Sequence, residues 1–385
     1  MFQNTLLAVN VNDKNRPVQK FMEAKEKFPA PGAKVTLSDV AAAARVSKAT
    51  ASNVFSRPER VRDPLRQRVE KAARALGYAG PDPKGRLLSS GKVNAIGVVP
   101  PAAFGISLFF KDPYTVELLA GIAEVCEERG VGVSLVSGRE DQQAWGITSA
   151  VVDGFILSSS DQISFISPAK RRHLSVVVVM GVDADPEVSS VNVNDGDGAR
   201  QVTEHLLALG HRRFVVAVPL REFRPPVIHP PGHGRALVAP IAVPDRFAGI
   251  DAALGAAGLS LDDMPIAEAC CTPEEMKAFG NGAAMLLDSM SGATAVISLS
   301  DKVALAVMRE ARSRGLSAPR DLSIVGFDDV AEASRAEPPL TTVAQPIREV
   351  GATAARLLLE GGPPQHVRLP VQLVVRGSTA PPRRT

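Results

Sequence analysis

The chain has 385 residues, of which 45% are hydrophobic, and its formal net charge is +3. This composition is that of an ordinary globular protein, which argues against general disorder, and the length allows two or three packed domains. Only three cysteines occur, two of them adjacent, so a disulfide framework is not expected. The first residues do not resemble a secretory signal, and no apolar run reaches the roughly 18 residues that span a membrane. We therefore expect a cytoplasmic protein.

The charge is divided unevenly along the chain. Residues 34–92 hold 13 Lys or Arg against 5 Asp or Glu, a net charge of +8, whereas the residues after 92 carry −7. A basic segment beside an acidic body is expected where one small domain meets phosphates. A solvated basic helix surface would have the same charge, so charge alone leaves nucleic-acid binding open.

The first elements are predicted from capping residues and apolar spacing. Residues 1–33 have weak periodicity and run into a turn-rich PAPGAK, which predicts a disordered tail. Thr36 can cap a first helix, and Ser47 can cap a second one over residues 48–55. Two helices joined this closely form a helix-turn-helix, whose second helix enters the major groove of DNA.

A third helix completes the small core. We expect Asp63 to cap this helix, Pro64 to occupy its first position and Gly77 to end it. An apolar stripe along the helix faces the first two helices.

Beyond residue 93, short apolar runs alternate with amphipathic stretches. VNAIGVV, GFILS, SVVVVM, RFVVAV, ATAVISL and DLSIVGF are separated by helical patterns. This alternation predicts right-handed βαβ crossovers and parallel sheets with helices on both faces. Ligands of such folds bind beyond the carboxyl ends of the strands.

These motifs resemble the lactose-repressor (LacI) family of bacterial transcription regulators. The headpiece strings are VTLSDVAAAARVSKATASNVFS and VRDPLRQRVEKAARALGY, and later blocks include DPYTVELLAGIAEVCEERG, RFAGIDAAL, LSIVGFDDV and PPLTTVAQP. The resemblance implies a small all-α helix-turn-helix headpiece over residues 34–79. After it would come an α/β periplasmic-binding-protein-like core of two parallel-sheet subdomains over residues 93–385.

The resemblance also implies how the core is divided. One subdomain would contain residues of about 93–194 with 334–345, and the other residues of about 195–333 with 346–385. The effector would lie in the cleft between them.

In this family the exposed positions at the start of the second helix choose the bases, and they fall here on Lys48, Ala49 and Asn53. Lysine reaches guanine acceptors, asparagine pairs with adenine, and alanine offers a methyl contact. The alternative for Lys48 is a contact to phosphate alone. The resemblance makes further DNA-contact candidates of Thr36, Ser47, Thr50 and Ser52.

Residues 80–92 resemble the hinge helix of the family. The implied minor-groove wedge is Leu88, with Arg86 as its groove or phosphate partner, and a plain flexible linker is the alternative. Arg45 stands where the turn of the family has glycine, so we expect a left-handed backbone there.

The resemblance implies an effector site as well. Arg246 of RFAGI would hold effector hydroxyl or carboxylate groups, and Asp328 of VGFDD would accept sugar hydroxyls, with a mutual or local ion pair as the alternative for both. Asp301 would contact the effector or cap a helix. The remaining implied contacts are Ser300, where the family usually has asparagine, Phe327 as a stacking ring, Gln345 and Asp183.

The segment between Val218 and Asp245 departs from the family pattern. It is rich in proline and is therefore neither a helix nor a central strand, and we interpret it as a longer lid over the cleft. Its two histidines, His229 and His233, lack further ligands at metal spacing, so no metal and no cofactor are expected.

No catalytic constellation is found, and His211 is expected to be structural. The sequence therefore predicts a homodimeric or larger DNA-binding repressor, not an enzyme, with contacts through helices near residues 113–129 and 245–257. Its effector would be a sugar or sugar derivative, or alternatively a nucleoside or polyol. A ligand-binding protein without DNA function is the competing hypothesis.

Overall fold

A computed structural model describes residues 35–80, 91–101, 105–138, 145–180, 185–220, 224–233, 244–269, 277–278, 280–290 and 292–383. The chain divides into two compact units between Lys92 and Val93, which is where the sequence predicts the division between headpiece and core. The predicted tail, the hinge residues Arg86 and Leu88, and Asp183 lie outside the described residues.

The headpiece consists of α1 (Leu37–Ala43), α2 (Lys48–Ser56) and α3 (Asp63–Leu76). They enclose a small core of Val40, Ala41, Ala44, Ala51, Val54, Val69 and Ala73. Gly77 ends α3 in a left-handed conformation, as predicted. The expected cap was wrong by one residue, because Arg62 holds the cap position and its carbonyl accepts from the amides of Leu65 and Arg66.

The first lobe of the core is built on a parallel sheet of six strands. The strands are β1 (Ala95–Val99), β2 (Gly132–Leu135), β3 (Gly154–Leu157), β4 (Ser175–Val179), β5 (Ser189–Val193) and β12 (His366–Leu369), in the order β12-β5-β4-β3-β1-β2. The helices of this lobe are α4 (Gly105–Phe109), α5 (Pro113–Arg129), α6 (Trp145–Ser149), α7 (Ile166–Arg171) and α13 (Ile347–Glu360).

The second lobe is built on a five-stranded sheet. Its strands are β6 (Phe214–Pro219), β7 (Val227–His229), β8 (Ile266–Ala269), β9 (Ala295–Ser298) and β10 (Ser323–Val325), in the order β10-β9-β6-β8-β7. The helices are α8 (Asp195–Ala208), α9 (Pro244–Ala256), α10 (Gly282–Asp288), α11 (Asp301–Ser313) and α12 (Ala331–Arg335). A separate antiparallel pair, β11 (Thr342–Ala344) and β13 (Gln372–Val374), lies where the chain passes between the lobes.

Two returning segments, residues 334–345 and 347–369, belong to the opposite lobes from those predicted. Helix α13 packs against α5, and β12 pairs with β5, so residues 347–369 are part of the first lobe. Thr341 instead bridges to Val325 of the second sheet, which places the segment before α13 with the second lobe. The chain therefore crosses between the lobes three times. The predicted partition was wrong for residues 334–369, whereas the residues around Ser378 contact Ile324 of the second lobe, as predicted.

The described part of the proline-rich segment contains an edge strand, β7. Strand β7 is antiparallel to β8, in a sheet whose other pairs are parallel. The buried Glu268 of β8 is paired with Arg224 at 2.6 Å and with His229 at 2.8 Å. Two side chains of the segment thus compensate a carboxylate that would otherwise be buried without a partner.

Each lobe contains one very close helix crossing at glycine. A Cβ atom on Gly121 of α5 would lie 1.9 Å from the carbonyl oxygen of Arg348, and one on Gly249 of α9 would lie 2.0 Å from that of Gly196. The second crossing joins α9 to α8. None of the described helices is long and apolar enough to cross a membrane.

Candidate DNA-binding surface and effector cleft

The helix-turn-helix is fixed by local capping. Thr36 and Asp39 form a capping box, in which the Asp39 carboxylate accepts from the Thr36 amide at 2.8 Å. These bonds to Thr36 hold the pKa of Asp39 below its usual value. Ser47 caps α2 by accepting from the Thr50 amide at 3.0 Å, and the two hydroxyls lie 2.8 Å apart. The predicted starts of both helices are confirmed.

One face of α2 is exposed. Lys48, Ala49 and Asn53 are exposed, whereas Ala51 and Val54 are buried against the other helices. In the part of the chain that the structure describes, no hydrogen bond or ion pair engages the Lys48 or Asn53 side chain. Lys48 is the first residue of the helix, at the end that contacts base edges in this motif, and Asn53 is about one and a half turns further along.

The turn before α2 has the backbone predicted for it. Arg45 has a φ of +53°, a conformation that side chains disfavour. Its carbonyl oxygen lies 3.5 Å from Arg68 Nη2.

The residues implied for the effector cleft meet beyond the carboxyl end of β9, where Arg246 bonds the carbonyl of Leu299. Arg246 is in the first turn of α9 and is 5% exposed. Its Nε donates to Asp195 Oδ1 and its Nη1 donates to the carbonyl of Leu299, both at 2.6 Å. The local ion pair, foreseen as an alternative, is thus present, and Asp195 was missed by the sequence reasoning.

Phe327 does not face the cleft. Its side chain is fully buried, and its ring lies 3.6 Å from Arg246 Cζ. The predicted stacking against an effector ring is therefore wrong for this structure. Phe327 instead supports the guanidinium through a cation–π contact.

Asp328 is buried on a strained backbone. Its φ is +128°, and it accepts from Gln345 Nε2 at 2.6 Å and from Ser300 Oγ at 3.2 Å. The nearest guanidinium nitrogen of Arg246 is 3.9 Å away. Burial raises the pKa of Asp328 well above its usual value, although the nearby Arg246 opposes the shift. Strain of this kind is typical of ligand clamps and switch regions.

Ser300 and Asp301 have different roles. Ser300 caps α11 and bonds Asp328, so it stands at the cleft. Asp301 is fully buried, and its oxygens accept from the Thr342 hydroxyl at 2.5 Å and the Val330 amide at 3.0 Å. In this structure Asp301 neither contacts the cleft nor caps the helix, which corrects both expectations. It ties α11 to the segments that follow the second sheet.

Tyr114 is a cleft residue that the sequence reasoning missed. It stands in the first turn of α5, directly after Asp112 and Pro113. Burial raises the pKa of Tyr114 above its ordinary range, and the carboxylates of Asp328 and Asp195 act in the same direction. The signal available in the sequence was its place at the start of a helix that follows a β-strand, because such positions line the cleft.

Two further charges face each other across the lobes. Asp112, which caps α5, accepts from Lys302 Nζ of α11 at 3.5 Å. His211 lies away from the cleft, where its ring nitrogens bond Thr294 and Ser323, so its predicted structural role is confirmed. Among the described residues, no cluster of His, Cys, Asp or Glu could hold a metal ion.

Two family models match the chain. Residues 36–80 match the model of bacterial regulatory proteins of the lacI family, and residues 203–379 match a periplasmic binding protein-like domain. An HTH-type transcriptional regulator of Mycobacterium tuberculosis is 36% identical over 370 residues, covering 92% of this chain and 99% of the relative. The HTH-type transcriptional repressor CytR of Escherichia coli is 31% identical over 369 residues, covering 93% and 99%.

Solved structures agree with these relatives. A Lac repressor dimer bound to operator has a TM-score of 0.71 at 25% identity, covering 90% of this chain and 100% of that one. A LacI family regulator of Enterococcus faecium with bound ribose has a TM-score of 0.61 at 27% identity, covering 75% and 100%. A helix-turn-helix headpiece followed by a two-lobed α/β core defines a DNA-binding transcription regulator. The chain belongs to the LacI family.

Proposed function

We propose that the protein is a repressor whose headpieces bind operator DNA and whose affinity for it is set by a small polar effector held between the lobes. The observation that carries this proposal is that one chain contains two kinds of site. Helix α2 exposes Lys48, Ala49 and Asn53, and the core buries the polar residues Arg246 and Asp328. A reporter fused to its target promoter should be derepressed in a deletion strain, and reduced transcription there would argue for an activator.

The recognition face should read bases through Lys48 and Asn53, while Thr36, Ser47, Thr50 and Ser52 position the helix on the backbone. The test uses a duplex selected from a random library and an unrelated duplex of equal length. Lys48→Ala should weaken the selected duplex at least about tenfold more than the unrelated one. Equal weakening would assign Lys48 to phosphate. Lys71→Ala, on the exposed side of α3, is the control.

The hinge residues Arg86 and Leu88 extend this proposal. A leucine wedge bends DNA while adding contact surface, so Leu88→Ala should reduce both operator affinity and bending. A variant that bends DNA as the parent does would instead favour a flexible linker.

For the effector we propose a sugar or sugar derivative, with a nucleoside or polyol as the alternative. Among the described residues, the cleft contains three carboxylates, of Asp112, Asp195 and Asp328, and two cations, Arg246 and Lys302. This balance disfavours sugar acids and sugar phosphates, and it supports an uncharged or cationic ligand. Two similar solved structures contain ribose and cellobiose, which are ligands of those proteins.

A thermal-shift panel of sugars, polyols, nucleosides, sugar acids and sugar phosphates tests the effector class, because a ligand of the folded state raises its stability. Arg246→Ala should abolish the shift, whereas Arg356→Ala, away from the cleft, should retain it. The active compound should also change affinity for the selected duplex. A response confined to anionic compounds would contradict the charge argument.

We further propose a homodimer that meets at the outer edge of the first lobe. Val116 of α5, Val133 of β2 and Trp145 of α6 are exposed apolar side chains, and β2 is the last strand of its sheet in the described part of the chain. The predicted contact through residues 113–129 agrees with this position. Trp145→Arg should yield monomers in sedimentation, and because Trp145 is the single tryptophan, its fluorescence in the parent protein should change on dilution.

A further inference from the structure

Two buried polar atoms in the cleft have no partner in the part of the chain that the structure describes. They are the hydroxyl of Tyr114 and Oε1 of Gln345. Both residues are 8% exposed. Buried polar groups are nearly always hydrogen-bonded. Two such groups without partners at one site therefore indicate a bound ligand that supplies the missing hydrogen bonds.

Both atoms belong to the surroundings of Asp328. Gln345 donates its Nε2 to Asp328 Oδ1, which leaves Oε1 as an acceptor only. Asp328 is the strongest electrostatic influence on the Tyr114 phenol. Each of the three comes from a different part of the core: Tyr114 from the first lobe, Asp328 from the second, and Gln345 from a segment between them.

Asp328 also lacks a close cation among the described residues. The Arg246 guanidinium makes its short contacts with Asp195 and with the carbonyl of Leu299, and it approaches Asp328 only to 3.9 Å. Lys302 contacts Asp112. The neutral donors on Asp328 are Gln345 Nε2 and Ser300 Oγ. A buried carboxylate arranged in this way favours a positive or strongly donating group.

We propose that the effector presents an amino group to Asp328 and Gln345 Oε1, with the Tyr114 hydroxyl completing its contacts. The inference rests on the proposed sensing function and names the chemistry of its ligand. One amino nitrogen carries at least two hydrogens and can donate to both acceptors, whereas one hydroxyl can donate to only one.

Amino groups of this kind occur on amino sugars and on nucleobases, and matched pairs separate the two sources. Full-length protein is titrated by calorimetry with glucosamine and glucose, galactosamine and galactose, cytidine and uridine, and adenosine and inosine. We expect the amino member of at least one pair to bind about ten times more tightly than its partner. The pair that responds identifies the sugar or base source.

The alternatives are decisive. If compounds bind but no amino member binds more tightly than its oxygen partner, or if only amine-free compounds of the effector panel bind, the amino inference is overturned and the sensing function stands. If no compound of either set binds, the sensing function fails and the inference fails with it.

Variants locate the amino contact. Asp328→Asn keeps the shape and removes the charge, so the preference for the amino member should fall toward unity. Tyr114→Phe removes only an unpaired oxygen. It should leave the melting temperature of the free protein at or above that of the parent while weakening the amino ligand about tenfold. Tyr78→Phe, at the only other tyrosine, is the matched control. An unchanged preference in Asp328→Asn would refute the proposed contact.

Discussion

At the scale of single residues, the left-handed backbone of Arg45 could be predicted because Arg45 stands where the turn of the family has glycine. Its left-handed φ of +53° costs on the order of 1 kcal/mol for a residue with a side chain. Asparagine tolerates this conformation, whereas a β-branched residue does not.

The first prediction follows from this difference. Arg45→Val should lower the free energy of unfolding of the headpiece by about 1 kcal/mol relative to Arg45→Asn. Both variants remove the same charge, so the comparison isolates the backbone. The measurement is thermal denaturation of full-length protein, in which unfolding is monitored by a spectroscopic label attached to the headpiece. Equal melting temperatures would show that the turn accommodates valine without strain.

Asp301 provides the second prediction, which concerns pH. Burial raises the pKa of Asp301 to about 6, while the hydrogen bond from Thr342 opposes the shift. The unfolded chain releases this proton near the ordinary carboxyl value of 3.8. Because the folded form holds the proton up to a higher pH, the free energy of unfolding must fall as pH rises from about 4 to about 6.

Asp301→Asn removes this titration. The stability of the parent relative to the variant should therefore decrease by about 3 kcal/mol between pH 4 and pH 7. Chemical denaturation at several pH values measures it, and carboxylates that do not interact with Asp301 cancel in the difference. A relative stability that increases with pH would mean that Asp301 is ionised in the folded protein.

At the scale of elements, the close contact between α8 and α9 positions the cleft. Helix α8 carries Asp195 in its first turn, helix α9 carries Arg246, and the two residues are bonded at 2.6 Å. The helices approach where Gly249 meets the Gly196 carbonyl. A methyl group at this crossing would force the helices apart and disturb the ion pair.

The third prediction compares two glycines of α9. Gly249→Ala should destabilise the core by about 1–3 kcal/mol through overpacking and weaken effector binding. A Cβ atom on Gly255 would have no neighbouring atom within 4 Å, so Gly255→Ala should stabilise the helix by up to about 1 kcal/mol. Denaturation curves and effector titrations distinguish the variants. Similar behaviour of both would contradict the crossing argument.

At the scale of the whole molecule, ion pairs join the two lobes. Lys302 of the second lobe contacts Asp112 of the first, with both side chains about one-quarter exposed. Arg368 of β12 likewise contacts Asp245 of α9 at 3.0 Å. A pair that forms only when the lobes are close favours the closed form and hence a ligand held between them.

The fourth prediction tests this coupling. Asp112→Asn retains the helix cap but removes the charge, and it should lower affinity for the tightest effector-panel compound by about two- to fivefold. Lys302→Gln should do the same, and the double variant should be no weaker than either single one. Arg129→Gln breaks a pair within the first lobe and serves as the control. Additive losses would show that the two residues act independently.

Much of the headpiece and part of the cleft could be predicted because their signals are local or carried by motifs. Thr36, Ser47 and Gly77 mark helix ends through bonds to residues a few positions away, so these ends can be predicted from the sequence without knowledge of the fold. Arg246 and Asp328 were found through RFAGI and VGFDD. The motifs could not show that Arg246 is bonded to Asp195.

The sequence by itself determined the order of the elements, the basic headpiece and the residue types available for DNA and ligand. Tertiary structure alone decided which lobe takes residues 347–369, that Phe327 is fully buried, and that Gln345 bonds Asp328. These outcomes depend on strand pairing and packing between distant segments. Such contacts have no signature in neighbouring residues, because their energies arise only when the lobes are assembled.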